Sequence, residues 1–410
     1  MAGRICLVTS SFPRWAGDPT SPFVLQLARD LKNRSWQVAV LAPHAAGLNR
    51  HETLGGVPVT RFRYFWPPSQ QTVCYRGGAL FNLRREPANW LKLPALVVCQ
   101  SLALFRTVRR QQSDVIHAHW ILPQGLVALA VGRLCRVPVV ITVHGSDVFA
   151  LRGRMWTWFK RVALRGAAAI TVNSSATEAA AHAIAPDLRT LHRIPMGIVA
   201  TGMLDTTTQS DMRRTLRLGS GPVLIFVGRL VPQKGVADLL HALAILSGEW
   251  PGACTVIVGD GPERLPLEAR AKDLKIDKQV RFVGAVDPAR VPEYLAAADV
   301  FVASARATRE GAAEGQGLAI VEAMLAGIPV VASRSGGVVD AVRQEETGLL
   351  VDESAPAQIA AAADRLLKDR DLAKRLAAQA QAMAATTYST DHAADAFSRL
   401  FAAITRPQRG

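Results

Sequence analysis

Short apolar runs alternate with longer amphipathic stretches along the whole chain. Runs of strand length fall near residues 4–9, 36–41, 57–62, 114–118, 138–143 and 168–172, and again near 222–227, 254–258, 280–283, 299–303, 328–332 and 348–351. Between them lie segments with helical spacing, such as 22–35 and 236–248, and an Ala-rich stretch of strong helix formers at 355–386. Strand alternating with helix predicts parallel sheets covered by helices on both faces. The pattern pauses over "IPMGIVATGMLDTTTQS" (194–210), a glycine-containing stretch without periodicity, and then restarts. The linker is placed there. At 410 residues the chain exceeds what one core usually serves, so two domains are expected. The expected class is α/β, with two doubly wound, Rossmann-like domains and ligands bound at the carboxyl ends of the strands, in an interdomain cleft.

Composition narrows the class. Cys6, Cys74, Cys99, Cys135 and Cys254 are scattered, with no CxxC pair. That argues against a zinc site or a disulfide framework and fits a reducing compartment. The start, "MAGRICLVTSSF", reads as a buried strand rather than a signal peptide. Apolar runs such as 93–105 and 120–132 fall short of the ~20 residues a membrane helix needs, so a soluble or peripheral chain is expected. Charge is segregated: residues 1–200 carry 24 Lys and Arg against 8 Asp and Glu, whereas residues 201–410 carry 24 against 25. The first half alone is strongly basic, which points to an anionic partner for that half: a membrane surface, nucleic acid or a phosphorylated substrate. Charge that merely solubilises is the alternative.

Candidate chemistry concentrates in the second half. In "AEGQGLAIVEAMLAGIPVVASRSGG" (313–337), Gly315 and Gly317 permit a tight loop, and 318–326 reads as the first turns of a helix. The bare amides at its start, around Gly317 and Leu318, offer a diphosphate a cradle and a favourable dipole. Glu314, before the helix, is placed to reach a reacting group. Glu322, one turn inside, is placed to accept hydrogen bonds from vicinal ribose hydroxyls. On spacing alone, a loop charge and a solvated helix residue remain the alternative. "VGRLVPQKGV" (227–236) follows the first strand of the second half, and its Arg229 and Lys234 flank a Pro-containing turn. Two cations there can neutralise a leaving diphosphate; surface charge on a loop is the alternative. "IVGDGPE" (257–263) and "SGG" (335–337) carry glycines suited to close backbone approach or to turns.

These segments resemble the retaining glycosyltransferases of family 4, group 1, with the GT-B fold. The resemblance spans nearly the whole chain and rests on "GRLVPQKG", "VGDGPE", "AADVFVAS", "EGQGLAIVEAMLAGIPVVA" and "SGGVVD", which occur in the family's order. It implies an N-terminal acceptor-binding domain at 1–195, a C-terminal nucleotide-sugar-binding domain at 196–388, and a terminal helix within 389–410 that crosses back to the first domain. It further implies that Glu314 contacts the transferred sugar, Glu322 the nucleotide ribose, and Arg229 and Lys234 the diphosphate. In the first half, "SFPRWAGDPTSPFV" (11–24), "DVIHAHW" (114–120), "TVHGSDV" (142–148), "TVNSS" (171–175) and "IPMGI" (194–198) also match. The family has adjacent glycines in the first of these, approaching the donor phosphate; here Gly17 is followed by Asp18. His144 would face the donor sugar, His119 reads as either a site or a core histidine, and Asn173 is a candidate lining residue. No DxD-type pair or His/Cys cluster appears, so neither a metal nor a cofactor is expected beyond a UDP-, GDP- or similar nucleotide sugar donor.

Segments 61–92 and 151–165 mix basic and aromatic residues, as suits an anionic headgroup region. Arg61, Arg63, Arg84 and Arg85 are the cations singled out for docking. The same mixture suits single-stranded nucleic acid, or aromatics in the core beneath a solvated charged face. Together the features lead to a metal-independent retaining glycosyltransferase with a lipid-linked glycan acceptor, cytoplasmic and peripheral on the inner face of an anionic membrane, with no nucleic-acid partner. A soluble small-molecule acceptor, or a non-catalytic basic scaffold on a GT-B frame, are the other readings.

Overall fold

The computed structural model describes residues 3–75, 78–199, 206–308, 311 and 313–405. Arg76 of the basic segment, residues 200–205 of the expected linker and 406–410 of the C-terminal segment lie outside them. The chain separates into two compact units, Met1–Gly197 with Thr390–Gly410, and Ile198–Ser389.

Among the described residues, the first unit holds an eight-stranded sheet. Its strands are β1 (Arg4–Val8), β2 (Gln37–Pro43), β3 (His51–Leu54), β4 (Val57–Phe62), β5 (Val115–His119), β6 (Val139–Val143), β7 (Ala169–Val172) and β8 (Leu191–Arg193), in the order β3-β4-β2-β1-β5-β6-β7-β8. All neighbours are parallel except the β3–β4 hairpin. Residues of β1, β5 and β6 are almost wholly buried, as strands covered on both faces should be; β1 and β6 are largely apolar, and β5 also buries His117 and His119. The short edge strands β3 and β8 were not expected from the sequence: "HETL" and "LHR" are partly polar and too short to show a period.

The second unit holds β9 (Val223–Val227), β10 (Cys254–Val258), β11 (Val280–Gly284), β12 (Val300–Ala303), β13 (Val330–Ser333) and β14 (Leu349–Val351), all parallel, in the order β11-β10-β9-β12-β13-β14. Order reverses between β9 and β12. In such sheets ligands bind beyond the carboxyl ends of the strands at that reversal. The loops after β9 and β12 carry Arg229, Lys234 and Glu314.

The helix Thr390–Thr405 packs in the first unit, although it follows the second in sequence. Arg34, at the end of the helix Pro22–Asn33, reaches Asp391 at 3.0 Å and Asp395 at 2.5 Å, and Trp36 Nε1 donates to Ser398 Oγ at 2.9 Å. Phe397 and Phe401 are fully buried, each with its ring centroid 5.2 Å from that of His117 in β5. Truncating such a ring costs about 3–5 kcal/mol when the cavity cannot collapse. Phe401→Ala should therefore lower the stability of the first unit by about 3 kcal/mol, read as an earlier urea transition in a variant that keeps Trp36 as its one tryptophan. An unchanged transition would mean that the helix is not part of that unit's core.

Candidate active site

The site residues of the second unit assemble around one ion pair. Lys234 closes a single helical turn, Pro232–Lys234, beyond β9. Its Nζ lies 2.5 Å from Glu314 Oε2. The turn is fixed from the next strand: Ser304 Oγ, just after β12, donates to the Lys234 carbonyl at 3.1 Å, and Arg306 N–H groups reach the carbonyls of Gln233 at 2.9 Å and Pro232 at 3.2 Å. Sequence reading missed Ser304 and Arg306. Their only signal was a position at a strand's carboxyl end.

Glu314 is held at both ends. Its Oε1 accepts the Gly317 N–H at 3.2 Å, and its carbonyl accepts the Gly337 N–H at 3.0 Å. Gly336 has φ +52°, and a Cβ there would stand 2.1 Å from the Glu314 carbonyl oxygen. Hence "SGG" is a backbone clamp on Glu314: the contact needs a residue without a side chain in a left-handed conformation. Likewise "VGDG" clamps the Arg229 loop. A Cβ on Gly259 would stand 1.9 Å from the Gly228 carbonyl oxygen, and the Leu230 N–H donates to the Asp260 carbonyl at 3.0 Å.

Burial pushes the Glu314 carboxyl up, but the charge of Lys234, its hydrogen bond, the Gly317 N–H and the charge of Arg229 together hold it below the usual range. Glu314 is thus a carboxylate that accepts hydrogen bonds and carries no proton to give. Arg229 is solvent-exposed, yet the packing around it lowers its proton affinity while Glu314 raises it. A guanidinium with access to water stays charged.

Gly317 caps the helix Leu318–Leu325. The N–H groups of Leu318 and Ala319 fall in its first turn, where no intrahelical acceptor exists; that of Gly317 is taken by Glu314. Lys234, Glu314 and Gly317 also line a small cavity with Phe226, Phe301 and Ile320. Glu322 is the one polar residue in "LAIVEAML", a helix whose other residues are apolar. Burial accordingly pushes its carboxyl up to about 7, with the charge of Lys234 working against the shift.

His144 and Gly17 lie in the first unit. Gly17 is exposed in the loop after β1, and the neighbouring Asp18 is turned inward. The Asp18 carboxylate accepts from Arg14 N–H at 2.8 Å, Arg14 Nε at 2.7 Å and the Thr20 hydroxyl at 2.8 Å, so it builds the loop. His144 follows β6. Its Nε2 is 2.8 Å from His119 Nδ1, and Trp120 and Phe23 pack on its ring. Burial pushes His117 and His144 down to about 3, and His119 well below its ordinary value, so all three are neutral near pH 7. His119 is fully buried. Asn173 is buried as well, bonded to the His144 carbonyl and the Thr177 hydroxyl; it supports His144.

Two docking expectations need correction. Arg61 is fully buried, with Nε 2.5 Å from Glu52, Nη1 3.0 Å from the Tyr75 hydroxyl and Nη2 2.6 Å from the Pro13 carbonyl. It sits on the inward register of β4, where Val57 and Val59 are also buried, and cannot meet a surface. Lys160 is buried too, donating to the carbonyls of Val148 at 3.1 Å and Ala150, with burial pushing it down to about 8. Phe62, Tyr64 and Tyr75 are core residues. Among the described residues, no group of three or more His, Cys, Asp or Glu side chains is placed to hold a metal ion.

Comparison with known proteins places this geometry. The second half, residues 208–383, matches the family described as glycosyl transferases group 1, and residues 20–197 match the glycosyl transferase 4-like domain. Over 381 residues, 92% of each chain, the protein is 28% identical to the GDP-mannose-dependent alpha-(1-6)-phosphatidylinositol monomannoside mannosyltransferase of Mycobacterium tuberculosis. It is 30% identical over 302 residues to the 2-deoxystreptamine glucosyltransferase of Streptomyces kanamyceticus, covering 68% of this chain and 73% of that one. Anabaena HepE, solved in complex with UDP-glucose, superposes with a TM-score of 0.76 at 20% identity, covering 98% of this chain and all of the other, a likeness of fold. The fold is GT-B, in the sense of two Rossmann-like units. The chain belongs to the group 1 glycosyltransferases and is a glycosyltransferase.

The Glu322 shift has a consequence for stability. The folded state keeps the proton on Glu322 up to about pH 7, whereas an ordinary glutamate loses it near 4.5. Between those values the folded state binds more protons, so stability falls as pH rises, and the full penalty stands above pH 7. Glu322→Gln should be more stable than the parent at pH 8, by about 3 kcal/mol, and by less than about 1 kcal/mol at pH 5. Urea unfolding at the two pH values measures this; equal gains at both would remove the buried-charge account.

Proposed function

We propose that the protein transfers a sugar, with retention of anomeric configuration and without a metal ion, from a nucleotide diphosphate sugar to a hydroxyl of a lipid-linked glycan. The reaction is placed at the cytoplasmic face of a membrane, in polysaccharide assembly. The observation that carries the donor half is the Lys234–Glu314 pair, with Arg229 beside it and the helix start at Gly317 and Leu318 behind it.

In this reading Lys234 and Arg229 meet the diphosphate, whose charge grows as the anomeric bond loosens. Stabilisation that strengthens along the reaction accelerates it. Glu314, ionised and held at both ends, accepts hydrogen bonds from the transferred sugar and favours positive character at its ring. The acceptor hydroxyl approaches from the face the diphosphate leaves, and a departing phosphate oxygen takes its proton. His144, neutral near pH 7, serves as a hydrogen-bonding group rather than an acid. Glu322, once ionised, accepts from the two ribose hydroxyls. The membrane-borne acceptor is supported by the phosphatidylinositol-linked acceptor named for the mycobacterial relative and by the basic first half. A soluble acceptor is the second reading, favoured by the likeness to the 2-deoxystreptamine enzyme. Activity that sediments with membranes favours the first; activity needing no lipid favours the second.

Thermal shift against a panel of nucleotide diphosphate sugars tests the donor assignment, since a bound ligand stabilises by mass action. Arg229→Ala and Lys234→Ala should each lower kcat/KM by a factor of about 10² or more; parental values in both would end the diphosphate assignment. Nucleoside diphosphate affinity should rise with pH through about 7 as Glu322 ionises, and Glu322→Gln should flatten that dependence. Calorimetric titrations at pH 6 and 8 read it directly. Turnover should persist in EDTA; loss reversed only by a divalent ion would mean that a metal is required.

A further inference from the structure

The outer face of one helix in the first unit is left apolar. A turn at Pro87–Lys92 runs directly into the helix Leu93–Gln111, and this stretch is long and apolar enough to cross a membrane. Its inner face, Leu96, Gln100, Leu104 and Val108, is buried in the core of the unit. Anchored there, the helix cannot cross a bilayer without unfolding the unit. Its opposite face carries Leu91, Val98, Leu102 and Phe105, which are 82%, 56%, 51% and 38% exposed. Pro94, Val98, Leu102 and Phe105 fall on one side of the α-helix over about 16 Å, with Leu91 preceding them in the turn. A surface helix normally shows polar residues there.

The stripe has aromatic and cationic borders. Trp90 packs tilted against Trp156 at 6.0 Å between ring centroids; Trp156 meets Phe159, and Phe159 meets the exposed Trp158 at 5.0 Å. Lys92 Nζ lies 5.6 Å from the ring of Phe65, next to the exposed Trp66. Between residues 78 and 112 there are six Lys or Arg against one Glu. Of these, Arg84, Arg85, Arg106, Arg109 and Arg110 are exposed, as are Arg152 and Arg154 near the aromatic cluster.

We infer that this face, with Leu91, Val98, Leu102 and Phe105 at its centre, seats the protein in the plane of an anionic lipid bilayer. Apolar side chains enter the acyl boundary, Trp66, Trp90 and Trp158 lie at headgroup level, and the arginines meet lipid phosphates. Charge complementarity selects this occupant. In a symmetric dimer the same patch would face itself, placing like charges against each other. The inference gives the proposed lipid-linked acceptor its surface, but bilayer binding is measured without any transfer reaction.

Full-length protein is floated with vesicles of phosphatidylcholine alone and with vesicles containing roughly one-third phosphatidylglycerol. Binding to the anionic vesicles alone is expected, with a fraction surviving about 0.5 M salt, where charge attraction is screened within a few ångströms. Replacing Val98, Leu102 and Phe105 together by Gln should remove the salt-resistant fraction and weaken partitioning at least about tenfold. Replacing Arg106, Arg109 and Arg110 by Gln should instead remove the salt-sensitive part. All these positions are exposed, so Tm should hold. Wild-type protein that ignores anionic vesicles would overturn the inference, as would a Val98/Leu102/Phe105 variant that binds like the parent. So would a wild-type dimer that this variant makes monomeric while vesicle binding is unchanged, since the face would then join two copies. Nucleoside diphosphate binding, measured on the same samples, is expected to be equal throughout; its absence in the wild type would remove the donor reading and leave the bilayer inference standing.

Discussion

An ion pair with little access to water, Lys234 with Glu314, sets the terms for the second unit. Removing two charges from water is costly, and attraction offsets the loss only when geometry is fixed and further hydrogen bonds complete the shells. Much of the local sequence meets that demand. The Gly317 N–H completes one carboxylate oxygen, Gly337 holds the backbone behind it, and Ser304 and Arg306 fix the turn that carries Lys234. Glycines sit at 259 and 336 because two loops must touch backbone to backbone. What results is a preorganised electrostatic frame.

Glu314 and Glu322 are a lesson in how environment divides one residue type into two. Cations and an amide keep the first ionised; an apolar helix keeps a proton on the second until about pH 7. Their spacing in the sequence carried no hint of this. It follows from Lys234 and Arg229, which are brought to Glu314 from about 80 residues away along the chain.

Elements whose identity rests on local pattern were legible. The apolar strands of both sheets and the helix after Gly317 follow from short-range periodicity, and so does the placement of Arg229, Lys234 and Glu314 in loops at strand ends. Legibility failed where pairing over distance decides. Arg61 looked like surface charge, although its alternation with Val57 and Val59 already put it on the inward face; Glu52, Tyr75 and Pro13, which receive it, are visible only once folded. Residues 93–105 read as an apolar run too short to cross a membrane, whereas the helical stretch Pro87–Gln111 is long enough by length and composition. Only the fold shows that one face serves the core while Val98, Leu102 and Phe105 on the other are exposed.

The helix Thr390–Thr405 carries a consequence for the order of assembly. On the ribosome, residues 1–197 emerge first, yet Phe397 and Phe401, which cover His117, and Ser398, which bonds Trp36, arrive after the whole of 198–389. The later-made unit can thus close before the earlier one. Until its final helix is translated, the first unit waits with an apolar seam open to chaperones, and a fragment ending at residue 389 would keep that seam open for good.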